Sequence, residues 1–131
     1  MLHPRDYSVN ETWIVFRLND APVETGQDGD FNIVCLMDAA SCYILGNEFV
    51  PARMPEVPES IAERLIETGR AQANVLPQKL LLSSEFGSAQ FAQLAERSGI
   101  KSERVPDNKL TAFVSEARDG FREHIGGSRL Q

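Results

Sequence analysis

The sequence predicts an α/β domain built on a mixed five-stranded sheet, and three observations carry that expectation. Residues 12–18, 31–37 and 42–46 are short runs rich in β-branched, aromatic and other apolar side chains, separated by turn-forming stretches. After Pro58 the apolar period lengthens to that of a helix. From there helical and strand-like segments alternate, so the order is β-β-β-α-β-α-β-α. An antiparallel meander followed by right-handed crossovers puts helices on both faces of one sheet.

The first strand, residues 12–18, ends in Asn19-Asp20-Ala21-Pro22, which turns the chain. The loop that follows holds Glu24, Gly26, Asp28, Gly29 and Asp30, a calcium-loop composition without the spaced ligand series or its terminal Glu. It is expected to be a solvated turn. Residues 31–37 are almost continuously apolar, as in a central strand buried on both faces. Asp38-Ala39-Ala40-Ser41 turns the chain into residues 42–46, with Phe49 and Val50 as a continuation and Pro51, Pro55 and Pro58 as the stop.

The first helix sets Ile61, Ala62, Leu65, Ile66 and Ala73 inward and Glu63, Arg64, Glu67 and Arg70 outward. Residues 79–83 form a buried strand, Ser88 is the expected cap of a helix carrying Phe91, Leu94 and Ala95, and Gly99 ends it. Residues 100–105 form a polar edge strand. Asp107 is the expected cap of a last helix with Leu110, Phe113, Val114, Ala117, Phe121 and Ile125 in register, and residues 126–131 are expected to fray.

With 131 residues, 42% of them hydrophobic, the chain has an ordinary globular composition. Area scaling leaves roughly 6,900 Å² exposed of about 21,000 Å² in the extended chain, so no disulfide or metal staple is required. Residues 1–131 are expected to be a single domain with an ordered core at about 11–125 and frayed termini. No run of about 18 apolar residues exists, and the start lacks a signal-peptide pattern, so a soluble cytoplasmic protein is expected.

The net charge of −6 is uneven: residues 1–60 carry 3 basic and 10 acidic side chains, residues 61–131 carry 10 and 9. An acidic chain without a basic stripe is a poor match for a phosphate backbone, so nucleic acid is not the expected partner. Arg97, Arg104, Arg118 and Arg122 are expected on solvated faces. Cys35, Cys42, His3 and His124 are too few and too scattered for a zinc site. Both cysteines are expected as small core hydrophobes in a reducing compartment, and His124 as a surface residue near a helix carboxyl end.

Two resemblances add to these local signals. Residues 36–46, Leu-Met-Asp-Ala-Ala-Ser-Cys-Tyr-Ile-Leu-Gly, resemble the turn after the first strand in the retroviral integrase and transposase cores of the ribonuclease H-like superfamily. Residues 82–91, Leu-Ser-Ser-Glu-Phe-Gly-Ser-Ala-Gln-Phe, are similar to the Ser-Asp-Asn-Gly segment of the same group, and residues 98–101 resemble the end of the helix that follows. The likeness spans about residues 31–125 and implies a ribonuclease H-like fold. Carried over by position, it puts Asp38, Glu85 and Glu116 at the three acidic positions of a Mg²⁺- or Mn²⁺-dependent phosphodiester site, which requires carboxylates converging on two metal ions. The chain departs from the pattern at Glu85, where the superfamily has Asp, at Phe86, where it has Asn, and in the spacing before Glu116. The phrase at residues 37–46, the helix after Pro58, residues 76–82 and the final helix are also similar to a family of small bacterial α/β domains without an assigned activity.

Each acid has a purely structural role available: Asp38 as an Asx-turn, Glu85 near a helix amino end, and Glu116 on a solvated face. No phosphate-binding Gly-rich loop, nucleophile elbow or His-centred acid–base pair is present. The expectation is a module without catalytic residues, cofactor or metal, acting through a protein partner or as a homo-oligomer. The alternative is a nuclease or integrase-like enzyme using Asp38, Glu85 and Glu116. Expected contact surfaces are residues 100–105 and, if exposed, Trp13 or Phe16. A weaker alternative is a small-molecule pocket near Ser83, Ser84, Ser88 and Asp38.

Overall fold

The computed structural model describes residues 2–24 and 29–129, with side chains through residue 123. Gly26 and Asp28 of the acidic loop, and the side chains of His124 and Ile125, lie outside the described residues.

The strands are β1 (Thr12–Arg17), β2 (Phe31–Asp38), β3 (Ile44–Pro51), β4 (Lys79–Ser83) and β5 (Lys101–Val105). The helices are α1 (Glu59–Ala73), α2 (Ala89–Arg97) and α3 (Thr111–Arg129), with 3-10 turns at Pro4–Asp6 and Asp107–Leu110. The sheet order is β3-β2-β1-β4-β5. β1 pairs antiparallel with β2, and β2 with β3, whereas β1–β4 and β4–β5 are parallel. A mixed five-stranded sheet is what the meander and the later alternation predict.

Alternation along the strands divides the core in two. Trp13, Val15, Val34, Leu36, Leu80 and Leu82 face α1 and α2, which contribute Ala62, Leu65, Phe91 and Ala95. Ile14, Phe16, Cys35, Met37 and Leu81 face the other way, against Leu110, Phe113 and Val114. β1 is the middle strand and is covered on both sides, so Trp13 and Phe16 are fully buried and present no contact surface. α1 comes close to the sheet at Gly69, where an added Cβ would stand 2.5 Å from a Leu36 methyl and 3.0 Å from the Trp13 ring. Gly99, at φ +72°, ends α2 as its sequence position predicts.

Several local expectations are corrected. Cys42 adopts φ +60° in the turn, so β3 starts at Ile44 and runs through Phe49 and Val50 to Pro51. α3 extends to Arg129. Ser88 precedes α2 but makes no capping bond; the backbone N–H of Ala89 instead donates to Glu56 Oε2 at 3.2 Å. Asp107 opens a 3-10 turn ahead of α3 rather than capping the helix.

Candidate functional site at the carboxyl ends of the parallel strands

Open α/β sheets bind ligands beyond the carboxyl ends of their parallel strands. Here those ends are Arg17 of β1, Ser83 of β4 and Val105 of β5. A side-chain network closes them. Arg118 of α3 lies over the Phe16 ring, 5.6 Å from its centroid, and reaches the end of β1. Its Nε and Nη2 donate to the Arg17 carbonyl at 3.0 and 2.7 Å, and its Nη1 and Nη2 donate to the two carboxylate oxygens of Asp107 at 2.7 and 2.9 Å. Ser83 Oγ donates to Asp107 Oδ1 at 2.8 Å and accepts from the Glu85 backbone N–H at 3.3 Å. The hydrogen bonds from Arg118 hold the Asp107 carboxyl below its ordinary pKa, against the opposing effect of burial.

A looser rim of charge surrounds this network. Arg17 stands 3.8 Å from Glu85, Arg122 is bonded to Asp20 and Asp119, and Arg104 Nη2 donates to the Ser84 carbonyl at 3.4 Å. The Arg122 hydrogen bond lowers the Asp20 carboxyl.

The acids named from sequence do not meet here. Asp38 closes β2, which is antiparallel to β1, so it lies at the amino ends of the parallel strands. Its register partner on β1 is Trp13, and the β4 partner of Trp13 is Leu80. Ser83 is three residues further along β4, about 10 Å at strand rise, and Glu85 follows it. The oxygens of Asp38 are already engaged: Oδ1 accepts from the Asn10 N–H at 2.7 Å, and Oδ2 accepts from the Ser41 N–H and hydroxyl at 2.9 and 2.7 Å. This is the Asx-turn role. Glu116 is exposed on α3. Burial raises the Cys42 thiol, and the charges of Asp38 and Glu116 add to that. Among the described residues no group of three His, Cys, Asp or Glu side chains is placed to hold a metal ion.

The serine pocket is likewise separated. Ser83 is fully buried and bonded to Asp107, Ser88 is buried with its hydroxyl unbonded, and Asp38 is at the far end of the sheet. Cys35 is buried in the α3-side core, where desolvation pushes its thiol up to about 12; Cys42 is half-buried, and both are free.

Sequence reasoning put Arg118 on a solvated face and Asp107 at a helix cap; instead Arg118 is shielded, 16% exposed, and the two are paired. The available signal was spacing. Arg118 is four residues after Val114 and three before Phe121, which puts a cation on the apolar stripe of α3, and Asp107 lies eleven residues earlier, about three helical turns.

No family model and no curated protein sequence matches the chain. It is similar to a chain in the cryoEM structure of the simian T-cell lymphotropic virus intasome in complex with PP2A regulatory subunit B56 gamma, at a TM-score of 0.57 and 14% identity. That likeness covers 92% of this chain but only 39% of the intasome chain, and at such identity it shows the fold alone.

Proposed function

We propose that this chain is a single ribonuclease H-like domain that works by binding a protein partner or a second copy, not by cleaving phosphodiesters. One observation carries the proposal: a guanidinium, Arg118, tied to Asp107 and to the Arg17 carbonyl, fills the place where β1 and β4 end. Divalent-metal chemistry needs several carboxylates with free oxygens pointing at one locus. In this chain Asp38 and Glu85 sit at opposite ends of the sheet, and Asp107, the buried carboxylate at the carboxyl end, has its oxygens taken by Arg118 and Ser83. The free thiols Cys35 and Cys42 fit a reducing cytoplasm. The fold shared with an intasome chain is what favours the second reading, Mg²⁺- or Mn²⁺-dependent phosphodiester chemistry through Asp38, Glu85 and Glu116.

An oligonucleotide cleavage and strand-transfer assay with Mg²⁺ or Mn²⁺ separates the two. The expected result is no turnover above that of an Asp38→Asn, Glu85→Gln double variant. Metal-dependent turnover that the double variant loses would overturn the proposal in favour of the second reading.

A further inference from the structure

The two outer strands of the sheet leave different edges open. Among the described residues β5 pairs only with β4, and its ladder fixes which backbone groups are spent. The Lys101 N–H donates to the Gln78 carbonyl, and the Val105 carbonyl accepts from the Ser84 N–H. Peptide groups alternate in direction along a strand, so Lys101, Glu103 and Val105 face β4, while the N–H and C=O of Ser102 and of Arg104 face outward. These four groups form a template for another strand.

The side chains around the template are charged in one sense. Lys101, Arg104 and Lys109 are exposed and make no ion pair with described residues, whereas Glu103 is already paired with Lys79 at 3.1 Å. On the α3 side of β5 a groove of about 450 Å³ is lined by Leu2, Glu103, Val105, Asn108 and Lys109. It offers apolar surface from Leu2 and Val105 with Lys109 beside it. Two copies of β5 meet least well in the register that spends most backbone groups. The antiparallel register that uses all four outward groups sets the two Glu103 side chains opposite each other, and the register centred on Arg104 opposes two arginines. The register centred on Ser102 sets Lys101 opposite Glu103 but leaves the Arg104 groups outside the pairing.

From these placements we propose that the free edge of β5 takes an acidic, extended peptide segment of a protein partner as a sixth strand. The backbone of Ser102 and Arg104 supplies the pairing, and the groove between Leu2 and Val105 takes an apolar side chain on the α3 face. Lys101 and Lys109 select acids on that same face, and Arg104, whose β4 partner Leu82 faces α1 and α2, selects acids on the opposite face. The cations left without an ion pair therefore choose the partner. This inference rests on the reading of the chain as a binding module and names the surface and chemistry of its partner.

The test is an NMR titration of the whole chain with an eight-residue peptide of one central valine among glutamates, with the same peptide carrying lysines for the glutamates as control. The expected result is saturable shifts centred on the Ser102 and Arg104 amides, weakened by salt and absent with the lysine peptide. Arg104→Pro removes an outward N–H while leaving the ladder to β4, and should weaken binding about tenfold. If that variant does not fold, Arg104→Glu keeps the strand and should weaken binding at least as much. Shifts that appear instead at β3, shifts unaffected by either variant, a flat titration at millimolar peptide, or self-association through β5 would each overturn the inference. Metal-dependent cleavage would overturn the binding-module reading whether or not the β5 amides shift, so the two failures are told apart.

Discussion

The side chain that most distinguishes this molecule is Arg118. Its guanidinium and the Asp107 carboxylate are 16% and 18% exposed, so the pair is well shielded, and the same cation also bonds the Arg17 carbonyl. Hydrogen bonds to charged groups are worth roughly 1.5–3 kcal/mol, and removing one partner of a shielded pair strands the other. Arg118→Met is therefore expected to cost about 2–3 kcal/mol in denaturant unfolding at neutral pH. The pH dependence has a definite sign. Asp107 is depressed below the ordinary aspartate value of 3.8, so its contribution is present above that value and is lost as pH falls through the lower folded value. The gap between wild type and Arg118→Met should accordingly narrow on acidification below 3.8, and a gap that stays constant there would contradict the assignment. The Arg118–Asp107 pair had a spacing signal, but the bond from Arg118 to the Arg17 carbonyl was hard to see in the sequence because the two are 101 residues apart, beyond any local pattern. Asp38 was legible, since an Asp three residues before a Ser at the end of an apolar run predicts the Asx-turn that forms.

At the scale of elements, strands and helices followed the apolar period, while their ends followed partners that the period does not encode. Ser88 occupies the expected cap position, yet the amino end of α2 is satisfied by Glu56, brought in by the bridge between Glu56 and Gly87. An added Cβ at Gly87 would lie 2.3 Å from the Pro55 carbonyl oxygen, so that crossing needs glycine. Gly69 poses the opposite problem inside α1, where propensity and packing disagree. Replacing a helical glycine by alanine favours the helix by about 1 kcal/mol. Here the new methyl would press on Leu36 and on the fully buried Trp13 ring, and overpacking of a filled core costs roughly 1–3 kcal/mol. Gly69→Ala is expected to lower stability by about 1 kcal/mol net, read as a lower thermal midpoint, and a rise would show that the α1–sheet interface has slack.

For the whole molecule, the meander and the crossovers together decide what the carboxylates can do. Residues 36–46 and 82–91 each resemble an integrase segment, but resemblance of segments does not say which end of the sheet each one reaches. β2 is antiparallel to β1 and β4 is parallel to it, so a residue that ends β2 and one that follows β4 are necessarily at opposite ends. The element order and the mixed five-stranded sheet were readable from sequence because they depend on alternation and turn chemistry, whereas the order of strands within the sheet was not. The site was not readable, because it depends on direction within the sheet. No described helix is long and apolar enough to cross a membrane. What the sheet leaves open is its edges, and of these β5 combines free backbone groups, unpaired cations and an adjacent groove. The most direct test of the binding-module reading is a Mg²⁺ and Mn²⁺ titration followed by NMR on wild type and Asp38→Asn. The expected result is no saturable binding at millimolar metal and no convergent response at Asp38, Glu85 and Glu116. Saturable binding at those three residues, abolished by Asp38→Asn, would contradict that reading.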